Sequence, residues 1–341
     1  MGALRRRGIA LAVVLSGAMT LAACGAGPAA GGGGDGSVRV GYISGAALAP
    51  AFVADALGCY RSHGLDVTFQ PINNPADAIA FLSSGKIDAY VGSPSAGMFN
   101  QVARGANLKM VASLGSVNTP GDEPAPSGLY GAAGVTKVAD LKGKRVASLG
   151  TVGTATSFLL GKSLESGGLS LSDVEVVPLS LPDMTEALRN GGVAAALLVA
   201  PYTRKAVTEG FATALVDSKA AYGKETTSGI MYGPNLLAKN RETGVSYLRA
   251  VACAAARMQG DWRKDPEIVK ALADFMKVPG NVISGGGLYA FDPTLKVNAG
   301  TLTDMQKMFG SHDGTLTYDD ALPAEKLVDE QILHDAAGGS Q

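Results

Sequence analysis

"LSSGKIDAYV" (residues 82–91) and "LRNGGVAAAL" (residues 188–197) share Leu82/Leu188, Gly85/Gly191 and Ala89/Ala195, with Ile87 against Val193. Four more matches run in the same order at nearly the same shift. "RVGYISG" (39–45) stands against "RVASLGT" (145–151), Phe52 against Phe158, "DVTFQP" (66–71) against "DVEVVP" (173–178), and "GANLKMV" (105–111) against "GFATALV" (210–216). Any one match is within chance for an Ala/Gly-rich chain. Five in order at one offset indicate a duplicated unit.

Each unit alternates strand and helix. Apolar runs at 38–43, 65–69, 87–91 and 108–113 have strand length, and segments at 50–62, 75–84 and 95–104 have helical length and period. The second copy repeats this with strands near 144, 174, 194 and 212. Such alternation predicts an α/β architecture, a mainly parallel sheet flanked by helices, once per copy. After residue 228 the pattern turns mostly helical. "DPEIVKAL" (265–272) opens one helix with an Asp cap and a Pro in the first turn. A tail of that length needs a surface to bury against and is expected to return to the first lobe. The expected division is 37–127 with 228–341 as lobe one, and 128–227 as lobe two.

The front of the chain has a different purpose. Arg5, Arg6 and Arg7 precede an uncharged run from Gly8 to Ala23, too short for a stop-transfer span, which reads as a signal peptide over 1–23. Leu21, Ala22 and Ala23 lead directly into Cys24, and this box resembles that of bacterial lipoproteins. The resemblance implies a diacylglycerol on Cys24, cleavage before it, and an extracytoplasmic protein held to the cell membrane. Residues 24–36 are nearly all Gly, Ala and Pro, a flexible tether with an r.m.s. reach of roughly 20 Å.

Without residues 1–23 the formal net charge falls from −1 to −4, which argues against nucleic acid as a partner. About 305 residues follow the tether, enough for two lobes with separate cores. Beyond Cys24 there are two cysteines, Cys59 and Cys253; in an exported protein they can be bridged or can be two buried thiols on helices. His63, His312 and His334 are scattered without a second ligand at metal-site spacing, so neither a metal nor another cofactor is expected.

In open α/β sheets a ligand sits beyond the carboxyl ends of the strands, where loops enter helix N-termini. That rule selects Ser44, Gly45, Asn73, Asn74, Ser93, Ser95 and the stretch Ser113 to Asn118 in the first copy. In the second it selects the loop from Gly150 to Thr156, with Thr151, Gly153 and Thr154 foremost, then Tyr202. Ser228 joins them where the chain returns to the first lobe. Thr151, Thr154, Ser93 and Ser95 are each equally consistent with capping their own helices, and Tyr202 with simple packing. The best loops carry no Arg or Lys, which disfavours a multiply charged phosphate and leaves a monoanion or a neutral polar heterocycle.

"APAFVADALGCYRSHGLDV" (49–67), "LSSGKIDAYVGSPSA" (82–96), "VADLKGKRVASLGT" (138–151), "LRNGGVAAALLVAPY" (188–202) and "LTYDDALPAEKLVDEQIL" (316–333) together resemble the substrate-binding proteins of nitrate, sulfonate and taurine ABC importers. That branch includes binders of a thiamine pyrimidine precursor. The resemblance implies a two-lobed type 2 periplasmic-binding-protein fold and a monomeric receptor. Its partners would be a small solute and a membrane permease with its ATPase. Enzymes share the scaffold, but "SPSAG" (93–97) has Ser93 where a nucleophile elbow needs Gly, and "GKS" (161–163) lacks the Gly of a phosphate loop, with Thr156 in its place. No paired carboxylates or Cys/His couple fall in these loops, so no enzyme activity is expected. A sensor for a membrane kinase is the other reading the scaffold permits.

Overall fold

The computed structural model describes residues 36–72, 74–117 and 125–338. The expected signal peptide, Cys24 and the expected tether as far as residue 35 lie outside the described residues, as do Asn73 and Asn118.

The repeat is visible in the turn before each central strand. Gly85 and Gly191 turn the chain with φ of 71° and 72°, a region L-residues with a Cβ avoid. In both copies the following backbone folds back onto the preceding helix: Lys86 and Ile87 N–H donate to Phe81 O, as Gly192 and Val193 N–H donate to Ala187 O. Arg39 then donates to Gly85 O and Arg145 to Gly192 O. Leu82, Leu188, Ile87 and Val193 are all buried beneath these turns.

The strands are β1 (Ser37–Tyr42), β2 (Asp66–Pro71), β3 (Ala89–Gly92), β4 (Lys109–Ser113), β5 (Gly115–Ser116), β6 (Ser127–Gly131), β7 (Arg145–Ser148), β8 (Glu175–Pro178), β9 (Ala195–Val199), β10 (Thr213–Ala214), β11 (Gly229–Tyr232) and β12 (Ala290–Phe291). Two five-stranded sheets form, in the orders β2-β1-β3-β11-β4 and β8-β7-β9-β6-β10. Both sheets are mainly parallel, as expected, with four strands running one way and one against them. β6 pairs antiparallel with β9 and β10, and β11 antiparallel with β3 and β4, each wedged where a parallel neighbour was expected. The physical reason lies in the route of the chain. After β4 the chain crosses to the second sheet to lay down β6, and after β10 it crosses back to lay down β11. Each copy therefore gives its last strand to the other's sheet, and two crossings join the lobes.

Between the strands of the first copy run α1 (Ala49–Ala56), α2 (Cys59–Ser62), α3 (Pro75–Ser83) and α4 (Ala96–Ala103), and of the second α5 (Ala155–Glu165), α6 (Leu181–Arg189), α7 (Tyr202–Thr208) and α8 (Ser218–Tyr222). The single helix expected over 50–62 is broken in two, because Gly58 adopts φ 70°. Asn74 and Ser180 cap α3 and α6 at equivalent places.

The tail adds α9 (Arg241–Arg257), α10 (Pro266–Met276), α11 (Gly280–Ser284), α12 (Ala299–Gly310), α13 (Ala324–Leu327) and α14 (Glu330–Ala336). Asp265 caps α10, with Pro266 in its first turn. α9 and α10 pack on α1, and α14 on α9 and β4. Phe275 of α10 stacks on Phe52 of α1 with centroids 4.3 Å apart. α12 touches both α4 and α5, so the tail also reaches the second lobe. Cys59 on α2 is bonded to Cys253 on α9, tying the tail to the start of the fold. No described helix is long and apolar enough to cross a membrane.

Candidate functional site

The crossings place the amino ends of the antiparallel strands β6 and β11 at the edge where the parallel strands end. Side chains from both sheets therefore converge on one cavity of about 120 Å³. Ser93 follows β3, Ser228 precedes β11 and Ser116 lies in β5; from the second sheet and its first helix come Ser127 at the start of β6 and Thr156 at the head of α5. Tyr222, Glu225, Thr227 and Tyr289 complete the polar wall, and among the described residues no Lys, Arg or His lines it.

The hydroxyls are held in place. Ser228 Oγ donates to Gly115 O at 3.0 Å, Thr156 Oγ1 donates to Leu149 O, and the Ser127 and Tyr222 hydroxyls stand 3.4 Å apart. Burial raises the Tyr222 phenol above its ordinary pKa, against the opposing hydrogen bonds from Ser127, Ser218 and Ser163, so it stays protonated and able to donate. The cavity can thus offer a small solute hydroxyl donors, hydroxyl acceptors and one carboxylate.

A second hollow, an open groove of about 1100 Å³, runs along the rim of both lobes and is lined by Asn74, Ser95, Gly97, Thr151, Gly153, Thr154, His312 and Thr315 among others. Here the lobes touch directly. Ala96 N–H donates to Gly153 O at 2.9 Å, and Asn100 on α4 holds the loop after α12, donating to Thr315 O at 3.1 Å and accepting from Thr317 N–H at 2.9 Å. Gly153 has φ 99°, and a Cβ there would lie 3.0 Å from Ala96 Cβ and 3.1 Å from Thr315 Cγ2.

The residues selected from sequence therefore separate into groups. Ser93 and Ser228 line the cavity, as do Ser116 and Thr156 from the selected stretches. Ser95, Thr151, Gly153 and Thr154 line the rim groove, where Ser95 and Thr154 also cap α4 and α5. Thr154 Oγ1 accepts from Ser157 N–H at 3.2 Å and donates to Thr151 O at 3.0 Å, so its hydroxyl is committed to its own helix. Ser44 and Gly45 line neither hollow; Tyr202 is half-buried against the core beneath α6 and α7. Sequence reasoning missed Ser127, Tyr222, Glu225, Thr227 and Tyr289. The run "KETTSG" (224–229) carried the available signal, small hydroxylated residues leading into a strand. Among the described residues no group of three or more His, Cys, Asp or Glu could hold a metal ion.

Comparison with known proteins fits this geometry. The chain is 30% identical over 146 residues to 4-amino-5-hydroxymethyl-2-methylpyrimidine phosphate synthase from Schizosaccharomyces pombe, covering 42% of this chain and 39% of that protein. It thus spans about two fifths of the length of that relative. Among solved structures, the periplasmic nitrate-binding protein NrtA from Synechocystis PCC 6803 superposes with a TM-score of 0.67 at 16% identity, over 89% of each chain. The alkanesulfonate-binding protein SsuA from Xanthomonas axonopodis pv. citri, bound to MOPS, gives 0.64 at 18% identity, over 86% of this chain and 98% of that one. These two likenesses establish the two-lobed periplasmic-binding-protein fold. The signature described as NMT1/THI5 like matches residues 46–261, more than half of the sequence, and with the fold and the inter-lobe cavity in agreement the chain belongs to the NMT1/THI5-like family.

Proposed function

We propose that the protein is an extracytoplasmic solute receptor of an ABC importer, anchored through a lipid on Cys24 after removal of residues 1–23, with 24–36 as its tether. Residues 37–127 with 228–341 form one jaw and 128–227 the other. They close on a small polar solute, which a permease and its ATPase accept from the monomeric receptor. The observation that carries this reading is the cavity walled by hydroxyls from both sheets: a solute there contacts both lobes and so favours the state in which they meet. The likeness to nitrate- and sulfonate-binding proteins supports the same reading.

An enzyme on the same scaffold is the second reading, favoured by the name of the S. pombe relative. Against it, the described residues of the cavity present one carboxylate and no His, Cys or Lys to share proton or nucleophile work with it. The test is a thermal-shift screen of the purified protein against sulfonates, nitrate, thiamine precursors and small amines. Stabilisation that rises with the logarithm of solute concentration, with the solute recovered unchanged, is the expected result. Chemical turnover of the stabilising solute would replace the receptor with an enzyme.

A further inference from the structure

We propose that Glu225 sets the charge preference of the cavity, so that the receptor takes a small solute bearing a protonated amine or amidine and rejects monoanions such as nitrate and sulfonates. This rests on the receptor reading above and deepens it.

Among the described residues lining the cavity, Glu225 is the one that carries a charge. Its backbone is fixed on every side. Its N–H donates to Tyr222 O at 2.9 Å, the preceding Lys224 O accepts from the Asn298 amide at 3.0 Å, and the following Thr226 hydroxyl accepts from Ser113 Oγ at 3.0 Å. The carboxylate is aimed by Thr301, whose hydroxyl donates to Glu225 Oε2 at 2.6 Å and whose oxygen also accepts from Thr226 N–H at 3.4 Å. One bond to a neutral hydroxyl leaves the rest of the carboxylate's acceptor capacity open.

No Lys or Arg among the described residues makes an ion pair with Glu225. Lys162 is within electrostatic reach, but its ammonium pairs with Glu165 at 3.0 Å and lines a separate hollow between α5 and α12. A monoanion entering the cavity would thus lose its water beside a carboxylate, with only hydroxyls to compensate. A cation would replace its water with a charge-assisted bond to a preorganised partner. The ring of Ser93, Ser127, Thr156 and Thr227 hydroxyls accepts the remaining N–H groups, a role open to a hydroxyl and closed to Arg or Lys.

The experiment uses probes of one size and different charge, methylguanidinium and ethylammonium against nitrate and methanesulfonate, titrated into the full chain and followed by thermal shift and calorimetry. The expected result is saturable binding of a cation, no response to either anion, and loss of cation affinity by about tenfold or more in Glu225→Gln. That variant keeps the side chain's shape and its contact with Thr301, and circular dichroism checks its fold. The wild-type charge preference stands as a measurement that needs no variant. Saturable binding of an anion, or cation affinity unchanged in Glu225→Gln, overturns the assignment while leaving the receptor reading intact. Silence from all four probes, with another solute later found to bind without a protonated nitrogen, overturns it in the same way. Silence from every solute of any charge overturns both.

Discussion

Arg39 and Asp88 show what a single residue pair contributes to the scaffold behind the cavity. Arg39 Nε and an Nη donate to the two Asp88 oxygens at 2.9 and 2.8 Å, the Arg39 N–H adds a bond at 2.8 Å, and the Asn235 amide a fourth at 2.8 Å. Burial pushes the Asp88 carboxyl up, but these four donors outweigh it and hold the carboxyl below its ordinary range. A carboxyl with a depressed folded-state pKa stabilises fully above its unfolded pKa, and that contribution is lost as pH falls through the folded value. Asp88→Asn should therefore cost about 1.5–3 kcal/mol at neutral pH. In urea titrations the gap between variant and wild type should narrow below about pH 4. A gap independent of pH would show that the charge is not what matters. In the second copy the place of Asp88 is taken by Ala194, and Arg145 keeps only its bond to Gly192 O and an exposed partner, Glu175, at 3.5 Å. The arginine was legible as a repeat marker; its carboxylate partner was not, because it occurs once.

At the scale of the element, the loop from Gly150 to Thr156 is a contact between the lobes as well as the cap of α5. Thr154→Ala removes a helix cap and should lower stability by about 1 kcal/mol. Read by calorimetry, solute affinity should change far less than it does in Gly153→Ala. There a Cβ meets a backbone φ it disfavours and two neighbours across the cleft, and the account predicts faster solute release in stopped-flow displacement. Equal release rates in wild type and Gly153→Ala would show that this contact does not hold the lobes together. Sequence alone exposed this loop, because glycines and threonines between a strand and a helix are a local signal. It did not reveal what the loop does, since Ala96 and Thr315 are far away in the chain. β6 and β11 escaped for the same reason. "SGLYG" and "GIMY" are short and glycine-bearing, and their strand identity comes from partners laid down in the opposite copy.

For the whole molecule, the duplication, the alternation of strand and helix within each copy and the helical tail were readable from the sequence, because those are repeated or local patterns. The cavity was readable only in outline. Ser93 and Ser228 follow from the strand-end rule, whereas Tyr222 and Glu225 depend on how the second crossing folds. The Cys59–Cys253 bridge spans 194 residues and clamps the tail to α2. Its removal as Cys59→Ser with Cys253→Ser should lower unfolding free energy by about 2–4 kcal/mol, by denaturant titration. In the proposed receptor, two lobes close over one solute. Small-angle scattering of the protein with and without the solute that stabilises it tests this most directly. A smaller radius of gyration on saturation, following the same binding curve as the thermal shift, is the predicted result; an identical scattering profile at saturating solute would contradict it.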